Sequence, residues 1–265
     1  MSVSSLAAVY RFRGFVIGSV KREFLQRYTH SAFGAAWSLL APLAMIVVYT
    51  VIFSEVMRAR LAGDPGPWSY SIYLCAGLIP WAFFSELVTR GQGIFVEQAG
   101  LIKKLAFPRT CLPVIAVASS ILNFAMPALM LMGFLALIDK WPGILVLTAL
   151  VPLAIQSALA LGLGLSLGVL HVFYRDVGHA LSIGLQFWFW LTPIVYPRSI
   201  LPAWLQPVVD WNPMAPIVRA YQSVLLDSRA PELASLAYPA LIAVALCTLA
   251  GMLFRQHAAE IVDEL

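Results

Sequence analysis

Six stretches of this chain contain no Asp, Glu, Lys or Arg: Thr29–Ser54, Pro65–Ser85, Thr110–Ile138, Trp141–Val172, Val177–Pro197 and Leu233–Phe254. They run to 26, 21, 29, 32, 21 and 22 residues, each beyond the roughly 18 apolar residues that read as a membrane-crossing helix. Inside hydrocarbon every backbone N–H and C=O must find its partner within the protein, which leaves helices as the reading of such runs. The expected fold class is therefore an all-α integral membrane protein with six transmembrane helices, forming one transmembrane domain over 1–265. Composition points the same way. Of 265 residues, 61% are hydrophobic and 11% charged, against about 45–50% and 25% in soluble domains, and mean hydropathy is +0.85. So few polar groups cannot cover a water-exposed surface. A soluble enzyme, a disordered regulator and a nucleic-acid module are excluded.

The net charge of +4 belongs to topology, because Lys and Arg gather on cytoplasmic loops. With the N-terminus placed inside, eleven basic residues fall on cytoplasmic segments and six outside; both termini are expected in the cytoplasm. The densest clusters, 11–27 and 103–109, agree. Residues 1–30 are polar and basic, so no cleavable leader is expected. Cys75, Cys111 and Cys247 lie within apolar runs and read as packing residues.

Three segments outside the spans carry information. Residues 10–28 interleave Phe12, Phe15, Val16, Ile17, Val20, Phe24, Leu25 and Tyr28 with five basic residues. An interfacial helix would bury the former and offer the latter to lipid phosphates, with Arg22 and Arg27 as the candidate phosphate contacts. In Gly91–Arg109, Ile94, Phe95, Gln98, Leu101, Ile102 and Leu105 fall on one helical face while Glu97, Lys103 and Lys104 lie off it. A short amphipathic helix over 93–106 is expected, lying on lipid or docked in a partner's groove. Between the fifth and sixth spans, 199–226 holds apolar pieces too short to cross, broken by Pro202, Pro207, Pro213 and Pro216. They read as short helices dipping into the membrane edge or lying flat on it.

The motifs of soluble chemistry are missing. The sequence has no phosphate-cradling G-x-x-x-x-G-K-[ST], no H-E-x-x-H and no paired-cysteine metal motif. Gly164-Leu165-Ser166-Leu167-Gly168 matches the G-x-S-x-G nucleophile pattern, but that needs a strand-to-helix elbow and here falls mid-span; its glycines also suit close helix packing. No catalytic or metal residue is assigned. His171, Arg175 and His179 recur at spacings of four, as on one helical face, and Glu86 is a carboxylate within a span, a functional suspect for that reason. Tyr49/Phe53 and Phe187/Trp190 are paired at helical spacings, and with Trp81 and Phe84 they read first as interfacial belt and core packing; if their faces lined a pathway, the flat rings would suit the apolar CH faces of passing sugars.

Taken in order, Phe33–Pro42, Gly77–Trp81, Leu101–Lys104 with Phe107–Arg109, Tyr174–Val177, Leu191–Pro197 and Trp211–Met214 resemble the membrane subunits of ABC-2-type polysaccharide exporters. The resemblance implies a homodimer with two copies of a separate ATPase subunit, which would carry ATP and Mg and leave no cofactor on this chain. It makes 93–106 a coupling helix, with Ile94, Phe95, Glu97, Gln98, Leu101 and Ile102 as contacts to that subunit. It makes 10–28 an interfacial helix and 199–226 extracytoplasmic re-entrant gate helices. The implied substrate is an undecaprenyl-pyrophosphate-linked polysaccharide of O-antigen, capsule or teichoic-acid type, moved across the bacterial plasma membrane, with membrane lipids as further partners and no nucleic acid. The alternatives are an ABC permease for a drug or small lipid, and a multi-pass enzyme acting on lipid-linked sugars.

Overall fold

The computed structural model describes residues 10–26, 68–100, 110–258 and 260–264, together with the isolated positions 40, 44, 47, 48, 51 and 66. The described residues are helical in regular structure. In chain order they form α1 (Arg13–Gln26), α2 (Ser69–Glu97), α3 (Cys111–Leu137), α4 (Leu150–Phe173), α5 (Asp176–Leu191), α6 (Gln206–Asp210), α7 (Met214–Leu225), α8 (Ala237–Gln256) and α9 (Glu260–Glu264). Short 3₁₀ turns lead into α4 (Gly143–Ala149) and α8 (Leu233–Leu236). The most extensive packing joins α4 to α2 on one side and to α8 on the other, with α3 and α7 against α2 and α1 against α3.

Among the described residues four helical segments are long and apolar enough to cross a membrane: Ser69–Glu97, Cys111–Leu137, Gly143–Phe173 and Leu233–Gln256. They correspond to the second, third, fourth and sixth of the six expected spans. The first, with Tyr49 and Phe53, lies outside the described residues apart from isolated positions. The fifth differs from expectation: α5 has 16 residues, about 24 Å at 1.5 Å per residue, and stops where Thr192 turns extended (ψ 130) ahead of Pro193. A residue before proline is pushed out of the helical region, so the uncharged run to Pro197 overstates the helix.

The second span differs in the opposite sense. Counting uncharged residues ends it at Ser85, yet α2 continues unbroken for 29 residues to Glu97, about 43 Å against a hydrocarbon core of about 30 Å. The charges that interrupt the count neutralise one another, since Arg90 Nε donates to Glu86 Oε1 at 2.9 Å across one helical turn. Consequently Ile94 and Phe95 belong to the end of α2, and the helix expected from 93 does not start there. The first break comes at Gln98; Leu101 and Ile102 lie outside the described residues.

Glycine spacing decides the central contact. Gly91 on α2 faces Gly164 and Gly168 on α4; a Cβ at Gly164 would come within 2.7 Å of the Val88 carbonyl oxygen, and one at Gly168 within 2.6 Å of that of Gly91. On another side of α4, a Cβ at Gly162 would meet the Cys247 backbone nitrogen of α8 at 2.7 Å. The small-residue face therefore seats α4 within its own chain. Ser166, centre of the nucleophile-like pattern, donates its hydroxyl to the Gly162 carbonyl at 2.8 Å in the middle of a helix.

Candidate functional site

The two ends of α2 carry the polar contacts that hold the bundle, and they differ in kind. At the Glu97 end a charged cluster joins three helices. Arg90 Nη1 donates to Glu23 Oε2 of α1 at 2.8 Å, and Ser119 Oγ of α3 donates to the same oxygen at 2.7 Å. The Asn123 side-chain amide of α3 donates to Glu86. Each charged side chain is a quarter to a third exposed, so the cluster sits at the rim of the bundle. Beside it opens a cleft of about 60 Å³ lined by Phe15, Ser19, Glu23, Arg90, Glu97 and Gln98 among others. Glu86 is thus engaged, by an arginine and an amide.

The last turns of α2 divide sharply. Ile94 and Phe95 are buried within the chain, and the Phe95 ring stacks on Phe254 of α8 at 5.5 Å between centroids. Gln98 is half-buried, while Val96 and Glu97 are exposed. Of the segment expected to meet a partner, the described side chains presented outward are those of Val96 and Glu97. On α1, Arg22 is exposed and donates to Ser19 Oγ at 3.2 Å; Arg27 lies outside the described residues.

The aromatics separate into an inner and an outer set. Trp81 and Phe84 of α2 are buried and pack against Trp188 and Phe189 of α5, with centroids 5.2–6.3 Å apart in edge-on geometry. Their neighbours on α5, Phe187 and Trp190, are 69% and 57% exposed. Trp81 and Phe84 therefore share no surface with Phe187 and Trp190.

At the opposite end of α2, neutral hydrogen bonds tie the short helices down. Asn212 is the hub: its carbonyl accepts from Trp188 Nε1 (2.7 Å) and from the Met214 backbone N–H (2.9 Å), starting α7, while its amide donates to Thr192 Oγ1 (2.8 Å) and the Leu191 carbonyl (3.2 Å). It closes the exit of α5 onto the entry of α7. The Tyr73 hydroxyl of α2 lies within hydrogen-bond reach of the carbonyls of Pro193 (3.0 Å) and Tyr196 (2.9 Å). Deeper, Tyr221 of α7 donates to Gln156 Oε1 of α4 (3.1 Å), whose amide donates to the Pro80 carbonyl of α2 (2.6 Å). Nearby Arg198 grips Asp210 through two bonds of 2.7 and 2.6 Å, and that bonding holds the Asp210 carboxyl below the ordinary carboxylate range.

The 199–226 segment thus contains the 12-residue α7, whose inner face, from Met214 to Leu225, is buried against α2 and α4; a Cβ at Gly77 would touch Val218 at 3.3 Å. The face expected for His171, Arg175 and His179 does not form. α4 ends at Phe173, Tyr174 is extended (φ −130, ψ 100), and α5 starts at Asp176. Among the described residues no group of three or more His, Cys, Asp or Glu is placed to hold a metal.

Glu23, Ser119, Asn123, Gln156, Asn212 and Tyr221 were not singled out by sequence. Gln156 carried a usable signal, as the one carboxamide in a 32-residue uncharged run, and a buried amide there must find a partner. Asn212 lies in the Trp211–Met214 motif, but three of its four partners, Trp188, Leu191 and Thr192, come from α5 and its exit. Glu23 looked like one charge in a basic amphipathic helix.

The family model described as ABC-2 type transporter matches residues 16–226. The chain is 29% identical over 261 residues to the O-antigen export system permease protein RfbA of Myxococcus xanthus, covering 97% of each. It is 29% identical over 207 residues to the protein of the same name from Klebsiella pneumoniae, covering 78% of each. To the polysialic acid transport protein KpsM of Escherichia coli it is 22% identical over 247 residues, covering 88% of this chain and 90% of that one. With its multiple membrane-length helices packed into one bundle, the chain belongs to the ABC-2 type transporter family of membrane proteins.

Proposed function

We propose that this chain is the transmembrane subunit of an ATP-driven exporter moving a lipid-linked polysaccharide, of O-antigen, capsule or teichoic-acid type, across the bacterial inner membrane. The observation that carries the reading is the likeness to an O-antigen export permease over 97% of both chains. Two copies of the chain pair with two copies of a nucleotide-binding subunit, which holds ATP and Mg, and the polymer travels on an undecaprenyl-pyrophosphate carrier. The uncharged runs Thr29–Ser54 and Val177–Pro197, the second made of α5 and its extended exit, complete six crossings, with both termini and the Glu97 end of α2 in the cytoplasm.

The geometry of α2 supports this mechanism. A helix about 43 Å long presents Val96 and Glu97 at one end and is bonded through Tyr73 to the α5–α6 connection at the other. A push on the Glu97 end by a partner is carried along one continuous helix to the opposite face, with the interior Pro80 held through its carbonyl by Gln156 of α4. Val96 and Glu97, followed by Leu101 and Ile102, are the contacts assigned to the ATPase subunit, while Phe95 anchors the lever to α8 and Ile94 lines the cleft shared with α1 and α3. Phe187 and Trp190, with Tyr49 and Phe53, are assigned to the polymer pathway, and Trp81 and Phe84 brace α5 from behind. Arg22 and Arg27 are assigned to lipid phosphate at the cytoplasmic surface, and Arg22 precedes Glu23, whose bond to Arg90 clasps α1 to the bundle.

The test is deletion of the gene alone, followed by electrophoresis of surface glycans and an assay of lipid-linked polymer retained inside. Loss of surface glycan with internal accumulation is the expected result. Normal surface glycan would move the reading to a permease for a small lipid or drug, and loss without accumulation to an enzyme of lipid-linked sugars.

A further inference from the structure

Near the Glu97 end of α2 a buried amide and a buried imidazole nitrogen face the same space without bonding. Gln92 of α2 is 6% exposed, and among the described residues its Nε2 has no hydrogen-bond partner. The same holds for Nδ1 of His171, in the last turn of α4, and both atoms are sealed from solvent. They come together at Gly178 in the first turn of α5. A Cβ there would lie 3.5 Å from Gln92 Nε2, 3.8 Å from His171 Nδ1 and 3.2 Å from His171 Cε1. Buried polar groups in folded proteins are almost always paired, and an unpaired one is costly in so apolar a medium. These two are complementary: the amide donates, and an imidazole with its proton on Nε2 accepts at Nδ1.

We propose that Gln92 and His171 form a two-position contact, open in this conformation and closed by a bond from Gln92 Nε2 to His171 Nδ1 when α2 slides along α4. The seam permits a slide of this kind. At this level it is backbone against backbone: a Cβ at Gly91 would stand 3.0 Å from Gly164 Cα, and one at Gly168 would stand 2.6 Å from the Gly91 carbonyl oxygen. No interlocked side chains have to clear one another there. Three residues beyond Gln92, the rings of Phe95 and Phe254 lie with their planes 14° apart, a parallel stack that shears without parting.

Two sets of interactions then oppose each other. Arg90 and Glu86 bond α2 to α1 and α3 and hold the open position, while the closed position satisfies two polar atoms that the open one leaves unpaired. The proposal rests on the lever reading of α2, and gives that lever a second resting place set by side-chain chemistry.

The test uses the full chain with its ATPase subunit in vesicles of phosphatidylethanolamine and phosphatidylglycerol, with nitrogen-15-labelled histidine. Solid-state NMR compares the nucleotide-free complex with one trapped by ATP and vanadate, and His171→Phe assigns the signal. Without nucleotide, Nδ1 of His171 should resonate as an unbonded imidazole nitrogen. On trapping it should move upfield as it accepts a hydrogen bond, and in Gln92→Leu it should stay where it was. A signal identical in both states overturns the proposal, and so does one already bonded without nucleotide. Nucleotide retained on the ATPase subunit shows that trapping has occurred, so a complex that traps none counts against the exporter reading instead. The open position is then still tested by melting. Gln92→Leu keeps the side chain's bulk and removes the unpaired amide, so the nucleotide-free protein should melt higher by about 2–4 °C. A lower melting temperature means that Gln92 is already bonded, and overturns the proposal.

Discussion

Asn212 illustrates how one side chain can hold a junction that no local pattern reveals. It makes four bonds to α5, Thr192 and α7, all inside the bundle, where an orphaned polar group costs about 1–3 kcal/mol. Asn212→Ala leaves the Trp188 indole and the Met214 amide without their acceptor. We expect a drop in thermal stability of the detergent-solubilised protein of about that size, with increased protease access around 192–213. The Arg90 cluster behaves differently because it is a quarter to a third exposed. Glu23→Gln should cost about 1 kcal/mol or less, since Glu86 still neutralises Arg90. Arg90→Gln should cost more, because two carboxylates then face one another without a cation. Melting curves of the two single variants and the double variant would separate these contributions. Asp210 supplies a pH dependence. Its carboxyl is held low by Arg198, so the pair's contribution is complete above the ordinary Asp value of about 3.9 and is lost as pH falls through the depressed one. Between pH 5 and 8 the Arg198–Asp210 link should be insensitive to pH. Carboxyl NMR should find Asp210 titrating below that ordinary value, and returning toward it in Arg198→Ala.

At the scale of elements, the seam between α2 and α4 is set by glycine. A methyl at Gly164 or Gly168 would sit 2.6–2.7 Å from a backbone carbonyl oxygen of α2, and backbone cannot swing aside as a side chain does. Gly168→Ala should force the helices apart at a cost of about 1–3 kcal/mol. Gly251→Ala on α8, where nothing lies within 4 Å, should be neutral or stabilising by up to about 1 kcal/mol. Comparing the two melting temperatures checks the assignment, since a generic intolerance of larger residues in this membrane protein would depress both. The same seam explains why α2 outruns its uncharged run. Gly91 and Gly93 are poor helix formers, yet Gly91 is where α4 approaches most closely, so tertiary packing outweighs propensity.

For the whole molecule, the lever reading of α2 makes a prediction that separates surface from core. Glu97→Lys alters an exposed side chain, so it should leave membrane insertion and melting temperature unchanged while export falls sharply in the surface-glycan assay. Phe95→Asp should instead lower protein yield, because it places a carboxylate against Phe254 in a closed stack. Undiminished export in Glu97→Lys would remove the docking role from this end of α2. What the sequence determined by itself was the class of molecule and the positions of most helices. Hydrophobicity is summed locally, and a run of twenty uncharged residues has few ways to satisfy its backbone in lipid. Charge counting failed where charges paired, at Glu86 and Arg90, and where an uncharged run contained a proline stop, at Thr192. Periodicity already put Phe95 and Glu97 on different faces, but what each face meets was decided by the tertiary structure: Phe95 inward on α8 and Glu97 outward, Trp188 inward and Phe187 outward. Those outcomes rest on contacts between residues far apart in the chain, Phe95 with Phe254 and Trp188 with Trp81, Phe84 and Asn212, which exist only once the helices have packed.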